Sequence, residues 1–179
     1  MNKQARFTQN SIKLAAVALA LSAAAGAMAA SINASSTSTV VTPIAITKAA
    51  DLAFGSFAAG STSGTVTVSP DGSRSFGGGA LGAGTQGGTI TAAQFNVTGQ
   101  SGFTYSISVT GTSLTSGSDT LTFTPVSALT ASNITSGNVT SGTLTAGAQT
   151  IFVGGTLAVA ANQAPGTYSG SVTATVDYN

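Results

Sequence analysis

The chain has 179 residues, of which 42% are hydrophobic and only 5% are charged, and it contains neither histidine nor cysteine. The usual general base, the usual thiol nucleophile and the common soft-metal ligands are therefore missing, and no disulfide can form. From Ala30 onward two cations stand against four aspartates, a net charge of −2, which excludes the basic surface that nucleic-acid binding requires.

The first residues have the pattern of an export signal. Three cations within the first 13 residues are followed by a largely apolar run over 14–25 without charged residues. That run is too short to span a bilayer, which needs about 20 residues. Ala27, Met28 and Ala29 then match the small-x-small form that signal peptidase cleaves. We predict a cleaved signal peptide over residues 1–29 and an exported mature chain over 30–179 without a transmembrane span.

Alternation with a period of two dominates the rest of the chain. Over Tyr168–Tyr178, apolar or small residues at every second position alternate with Ser, Thr and Asp. Successive strand residues point to opposite faces, so this pattern predicts a strand buried on one face. Together with turn signals, the alternating runs predict about eight antiparallel strands in one all-β domain over 30–179, a sandwich or a barrel. The shorter runs are 93–97, 103–109, 121–123, 151–153 and 157–159.

Turns and loops are predicted between these strands. Pro70, Asp71 and Gly72 form a turn sequence, because proline presets one dihedral and glycine accepts the unusual one. The glycine-rich stretch 77–88 is predicted as a loop. The stretch 131–142 is predicted as a low-complexity surface loop, and it contains Asn-Ile-Thr-Ser-Gly followed directly by Asn-Val-Thr-Ser-Gly.

The sequence offers no constellation typical of a catalytic centre. After residue 29, Lys48 is the only amine side chain that could activate a serine. Asp71 and Asp119 lie in turn sequences and Asp177 on the polar face of the last strand, which argues against paired catalytic carboxylates. The run 82–87 matches the glycine pattern of dinucleotide-binding loops, but a strand pattern follows it where such a loop needs a helix. We predict no enzymatic activity, no cofactor and no metal site.

Two segments resemble a family of exported bacterial domains, the domain-of-unknown-function family DUF4402. The first comprises 40–48 with Asp51–Gly55, and the second comprises 153–157 with 161–170 and the alternating strand after it. The likeness covers essentially the whole predicted mature chain. It implies an exported domain of a Gram-negative bacterium, located in the periplasm, on the outer cell surface or outside the cell.

That family is in turn similar to chaperone–usher pilins and to secreted coat-type proteins, which implies an immunoglobulin-like antiparallel β-sandwich. Pilins close on an alternating strand with a penultimate aromatic residue and a glycine fourteen places from the end, and Tyr178 and Gly166 stand at these places. In pilins this strand pairs first with a periplasmic chaperone and later with the N-terminal extension of a neighbouring subunit. The resemblance implies a strand-addition edge made of Gly166, Tyr168, Val172, Ala174, Val176 and Tyr178.

The donor of an added strand is less clearly marked. The segment Ala30–Thr39 is mostly Ser, Thr and Ala, so a usable donor would borrow Val40, Ile44 and Ile46, which are alternatively the fold's own first strand. The leading expectation is a fimbrial or surface-layer subunit that assembles with itself, aided by a periplasmic chaperone and usher. The alternative is a self-contained secreted β-sandwich that binds a surface or a carbohydrate ligand and needs no donor arm.

Overall fold

The computed structural model describes residues 30–84 and 87–179, so the predicted signal peptide lies outside the described residues. Residues 40–179 form one compact unit. Residues 30–39 contain no strand. The described chain is all-β, with ten strands and a turn of 3-10 helix at Thr145–Gly147. The strands are β1 (Ala45–Ala50), β2 (Phe57–Val68), β3 (Arg74–Gly82), β4 (Ala93–Thr98), β5 (Thr104–Gly111), β6 (Leu114–Ser116), β7 (Asp119–Ala128), β8 (Ser141–Thr143), β9 (Ala148–Val159) and β10 (Val172–Tyr178).

The larger sheet has seven antiparallel strands built around β9. On one edge of β9 lies β7, and on the other edge β4 pairs with 148–153 while β2 pairs with 155–159. The sheet extends from β4 to β1, from β2 to β3 and from β7 to β6. The strand β9 therefore joins the other strands of this sheet, with β7 along one edge and β4 and β2 in turn along the other.

The change of partner along β9 falls at two buried glycines, Gly154 and Gly155. A Cβ on Gly154 would meet the carbonyl oxygen of Val68, and a Cβ on Gly155 would meet the ring of Phe123. Neighbouring backbone and an aromatic ring thus approach β9 more closely than any side chain permits. Glycine is required at both positions.

The smaller sheet has three antiparallel strands in the order β10-β5-β8. In the register of β10 against β5, Val176 lies opposite Ile107 and Tyr178 opposite Tyr105. Val176, Ile107 and Tyr105 are buried, whereas the Ser and Thr residues between them are exposed. The alternation in the sequence therefore marks the inner and outer faces of this sheet, as predicted.

Two clusters of buried apolar side chains fill the sandwich. The first includes Val97, Tyr105 and Ile151, and the second includes Val66 and Leu157. Burial of each large side chain stabilises the fold by about 1.5–3 kcal/mol. The predicted all-β antiparallel sandwich is confirmed, with ten strands where about eight were expected from turn spacing.

The glycine-rich stretch departs from its prediction. Residues 77–82 were expected in a loop, but they belong to β3, which pairs with β2 across an irregularity between Ala59 and Gly64. A Cβ on Gly79 would meet the backbone of Thr62. The prediction is wrong because four of these six residues are glycine, which leaves too few side chains for an alternation to be recognised.

The last alternating segment also differs from expectation. β10 begins at Val172, so the prediction of one strand from Tyr168 to Tyr178 is wrong for its first four residues. Before β10, Ser169 forms an isolated bridge with Thr115. The alternation of residue types continues through this bent segment although the ladder with β5 does not.

The predicted loop at 131–142 is confirmed up to β8. Its two tandem asparagines fasten it to the larger sheet, because Asn133 Oδ1 accepts a 3.1 Å hydrogen bond from the Ser69 hydroxyl and Asn138 Oδ1 accepts one of 3.1 Å from the Ser127 hydroxyl. Both serines are 2% exposed. The loop thus supplies acceptors for two buried hydroxyl donors.

Candidate functional site

An opening in the sandwich, which we call the seam, lies between the chain segments 48–59 and 163–172. Its first lobe, of about 490 Å³, is bounded by residues 48–52 and 169–172. Its second lobe, of about 650 Å³, is bounded by residues 55–59 and 163–167. Chain numbering rises along one wall as it falls along the other, so the walls run antiparallel. Both lobes are lined by Phe54, Leu114 and Tyr168, which makes them one continuous groove.

The floor of the seam is the hydrophobic core itself. Phe54 and Phe123 meet edge to face with ring centroids 6.0 Å apart. Phe95 also lines the first lobe, and Leu121 and Leu157 line the second. Each of these side chains is at most 9% exposed. An apolar side chain that entered either lobe would therefore pack on the core and gain about 25 cal/mol for each Å² of apolar surface removed from water.

Arg74 holds the first wall where the two lobes meet. Its Nη1 donates to the carbonyl oxygens of Phe54 at 2.7 Å and Ser56 at 3.0 Å. Its guanidinium also lies 4.8 Å from the centroid of the Phe76 ring. The guanidinium thus bonds two backbone carbonyls and contacts an aromatic ring at once. The wall is thus positioned by a side chain from β3.

Tyr168 shapes the opposite wall. Its hydroxyl donates to the carbonyl oxygen of Ala164 at 2.7 Å and accepts from Gln163 Nε2 at 2.9 Å. A tyrosine that bonds the backbone a few residues upstream is the tyrosine corner of immunoglobulin-like sandwiches. Ser169 continues the wall by exchanging backbone hydrogen bonds of 2.8 and 3.1 Å with Thr115.

β10 leaves one edge open beside the seam. It pairs with β5, and no strand in the described part of the chain pairs along its other edge. At the two ends of the ladder, the Thr112 N–H donates to the Ser171 carbonyl oxygen at 2.9 Å and the Asn179 N–H donates to that of Thr104 at 3.3 Å. Hydrogen-bonded and non-hydrogen-bonded pairs alternate in an antiparallel ladder, so the odd-numbered residues of β10 bond to β5. The residues whose N–H and C=O groups point to the open edge are Val172, Ala174, Val176 and Tyr178.

The six residues predicted for a strand-addition edge fall into two groups. Gly166 and Tyr168 lie in the bent wall of the seam, before the strand begins. The other four, from Val172 to Tyr178, lie in β10. Val172 also lines the first lobe. The seam and the open edge of β10 therefore meet at Val172.

The predicted donor residues are also divided. Ile46 lies in β1 opposite Val97 of β4. Ile44 precedes β1 and packs against the first core cluster. Val40 is 93% exposed. Of the two alternatives for these residues, the structure uses Ile46 in the fold's own first strand.

Charged groups are sparse around the seam. Lys48 and Asp51 form an ion pair of 2.6 Å in which the side chains are 58% and 78% exposed. No group of three or more His, Cys, Asp or Glu side chains that could hold a metal occurs among residues 30–84 and 87–179. No helix in the same ranges is long and apolar enough to cross a membrane.

Asp71 caps its turn, as its sequence context predicts. Its Oδ1 accepts hydrogen bonds from the Ser73 hydroxyl at 2.6 Å and from the Ser73 N–H at 2.8 Å. Both bonds stabilise the charged carboxylate, the one from the hydroxyl more than the one from the N–H. Together they hold the pKa of Asp71 below its usual range. This carboxylate has a structural partner on its own turn.

Sequence reasoning missed the residues at the boundary of the two lobes. Phe54 lies outside the strands and Leu114 begins the short strand β6, so neither belongs to a long alternating pattern. Their shared position in the seam depends on contacts between segments that are distant in sequence. Arg74 carried a usable signal, because it is one of only two cations after residue 29. An isolated cation in a nearly uncharged chain indicates a specific contact, although not which one.

The two antiparallel sheets and the apolar core that they share define the chain as an antiparallel β-sandwich. It belongs to the family described as Domain of unknown function (DUF4402), which matches residues 44–178. The family resemblance seen in the sequence is thereby confirmed. No curated protein and no solved structure matches the chain.

Proposed function

We propose that this protein is a non-enzymatic, exported structural subunit of a fimbria or surface layer, and that it assembles by β-strand addition at the open edge of β10. The observation that carries the proposal is the backbone direction along this edge, where Val172, Ala174, Val176 and Tyr178 point their N–H and C=O groups away from β5. A row of such groups is a template for another strand. An added strand would pair with them by β-augmentation.

The seam supports the proposal by offering side-chain pockets beside the same edge. In β-augmentation the backbone bonds provide affinity, and pockets for alternate side chains provide specificity. The two lobes, of about 490 and 650 Å³, lie directly over core side chains. An added strand that paired with β10 and extended past Val172 would place apolar side chains in the two lobes.

A neighbouring copy is the proposed partner in the assembled structure, and a periplasmic chaperone and usher are proposed to handle the subunit before assembly. Ile44 and Ile46 already pack against the core, so a donor strand would come from the residues before them, including Val40. Residues 31–39, which follow the predicted new N-terminus at Ala30, carry no charged side chain. They could enter an apolar groove without removing an ion from water.

Two proline substitutions on β10 test the edge. Ala174→Pro removes an N–H that faces the open edge, whereas Thr175→Pro removes an N–H that faces β5. We expect A174P to fold but not to assemble, and T175P to unfold at a lower temperature because a ladder bond is lost. Light scattering and thermal unfolding on the full chain, purified after export, measure both effects. Assembly of A174P at the wild-type concentration would contradict the proposal.

A single cysteine reports on the seam, because the chain has none of its own. Ser169→Cys places a thiol on the wall of the first lobe, and Ser108→Cys places a control thiol on the exposed outer face of β5. We expect assembly to protect the thiol at 169 from a maleimide reagent and to leave the thiol at 108 reactive. A wild-type chain that stays monomeric at every concentration would favour the secreted sandwich that binds a surface or carbohydrate.

A further inference from the structure

β1 has a second edge that could receive a strand. It pairs with β4, and no strand pairs along its other edge in the described residues. In the register with β4, Ile46 lies opposite Val97 and Lys48 lies opposite Phe95. Val97 and Phe95 are core side chains, and cross-strand partners share a face of the sheet. Lys48 therefore occupies an inward-facing position on an edge strand.

The surroundings of Lys48 make this position unusual. Its side chain lines the first lobe of the seam together with Phe95 and Phe123. The ammonium group turns out to Asp51 at 2.6 Å, and the Lys48 side chain stays 58% exposed. A strand added to β1 would extend the sheet over this position and remove the ammonium group from water. Burial of a charge without full compensation is strongly unfavourable.

β10 carries no inward-facing charge of its own, and its one charged residue, Asp177, lies opposite Ser106 on the exposed outer face. β1 differs again in having an irregularity between Lys48 and Ala50, where the register with β4 shifts. An inward-pointing charge and a bulge are both means by which natural proteins protect a sheet edge from pairing.

We infer that Lys48 closes the edge of β1 to pairing with another strand. This inference does not depend on the proposed strand addition at β10. The partner excluded at β1 is a second copy of this chain, since two β1 edges could pair antiparallel about a twofold axis. An uncharged residue at position 48 would therefore create a new homodimer.

Three substitutions separate charge from side-chain length and from the ion pair. Lys48→Met removes the charge and keeps an unbranched side chain, Lys48→Arg keeps the charge, and Asp51→Asn removes the partner but keeps the cation. All three are made in the Ala174→Pro background, so that pairing through β10 does not contribute. We expect only K48M to dimerise. In light scattering its dimer should form at a concentration about tenfold or more below the one at which the background protein would dimerise.

A cysteine on β1 identifies the interface. Thr47 is exposed on the outer face of β1, so Thr47→Cys should form a disulfide across a β1–β1 pair under oxidation in K48M and not in K48R. Lys48→Thr serves as a second uncharged variant if K48M unfolds at a lower temperature. The inference is overturned if both uncharged variants stay as monomeric as K48R, or if they dimerise without a link at position 47.

The same samples separate this inference from the proposed function. Dimers through β1 in the Ala174→Pro background support the role of Lys48 whether or not the wild type assembles. Failure of the wild type to assemble through β10 overturns the proposed function and leaves the closure of β1 intact. If the wild type assembles through β10 but the uncharged variants form no β1 dimer, the proposed function stands and the role of Lys48 is overturned.

Discussion

The hydroxyl of Tyr178, near the end of β10, donates a 2.8 Å hydrogen bond to the carbonyl oxygen of Thr42, just before β1. The same hydroxyl accepts a 2.6 Å bond from the Gln100 N–H, which follows β4. The Tyr178 ring meets Phe103 edge to face with centroids 5.6 Å apart. One side chain thus ties the smaller sheet to two segments of the larger sheet. The other end of β10, at Val172, lies at the seam.

Tyr178→Phe should destabilise the fold by about 2 kcal/mol, because it removes two hydrogen bonds and keeps the ring in contact with Phe103. The corresponding fall in melting temperature is about 4–8 °C for a chain of this size. Ser108→Ala, on the exposed face of β5, is the control and should leave the melting temperature unchanged. An unchanged melting temperature in Y178F would show that the tie contributes nothing to stability.

Tyr105→Phe should stabilise the protein. Tyr105 has no exposed surface, and its hydroxyl has no hydrogen-bond partner among the described residues. Burial of an unpaired hydroxyl is unfavourable, so its removal should increase the free energy of unfolding by about 1–2 kcal/mol. Denaturant titration at neutral pH measures the change. Destabilisation by Y105F would instead indicate that a bound water satisfies the hydroxyl.

The same substitution should change the response to alkaline pH. Burial raises the pKa of Tyr105 above its ordinary value of 10.0. Below that value neither the folded nor the unfolded chain ionises at this residue, so it adds no pH dependence. As the pH rises further, the unfolded chain releases the proton first and the wild type loses stability. Denaturant titrations from about pH 9 to about pH 11 should therefore show a steeper loss in the wild type than in Y105F.

Gly154→Ala and Gly155→Ala should each destabilise the fold by about 3 kcal/mol, since the new methyl group would overlap the Val68 carbonyl or the Phe123 ring. The matched control is Gly102→Ala. A Cβ there meets nothing within 4 Å, but φ is +81°, so only backbone strain of about 1 kcal/mol is expected. Thermal unfolding ranks the three variants. Equal losses in all of them would show that packing around β9 can relax.

Asn133→Ala should destabilise the protein by about 1–3 kcal/mol, because the buried Ser69 hydroxyl loses its acceptor. Ser69→Ala removes that donor, so the double variant should regain much of the loss. The coupling between the two positions, read from a double-mutant cycle in urea, is the test. Strict additivity would mean that the contact carries no interaction energy. Asn138→Ala should likewise leave the Ser127 hydroxyl without its acceptor, but Ser127→Ala should not restore stability, because the Ser127 hydroxyl also accepts from the Val139 N–H.

The sequence predicted the strands correctly where large apolar side chains alternate with small polar ones. Tyr105 and Ile107 alternate with serine and threonine, and both are buried, so the order of residue types alone assigns their faces correctly. Residues 77–82, four of which are glycine, carry too little such information, and the strand they form was missed. Tyr168 follows the same alternation but lies before β10, and its hydroxyl bonds to the Ala164 carbonyl oxygen. Periodicity reports which face a residue would have in a strand, not whether its backbone is paired.

The sequence by itself determined the all-β class, the family and the near absence of charge, because these follow from residue types and their order along the chain. The tertiary structure alone decided which strands lie at the edges, where the seam opens, and that Lys48 faces inward opposite Phe95. These features depend on pairings between distant segments, such as 45–50 with 94–98 and 172–178 with 105–111. A local pattern constrains each strand's two faces, but its neighbours are chosen by the packing of the whole chain.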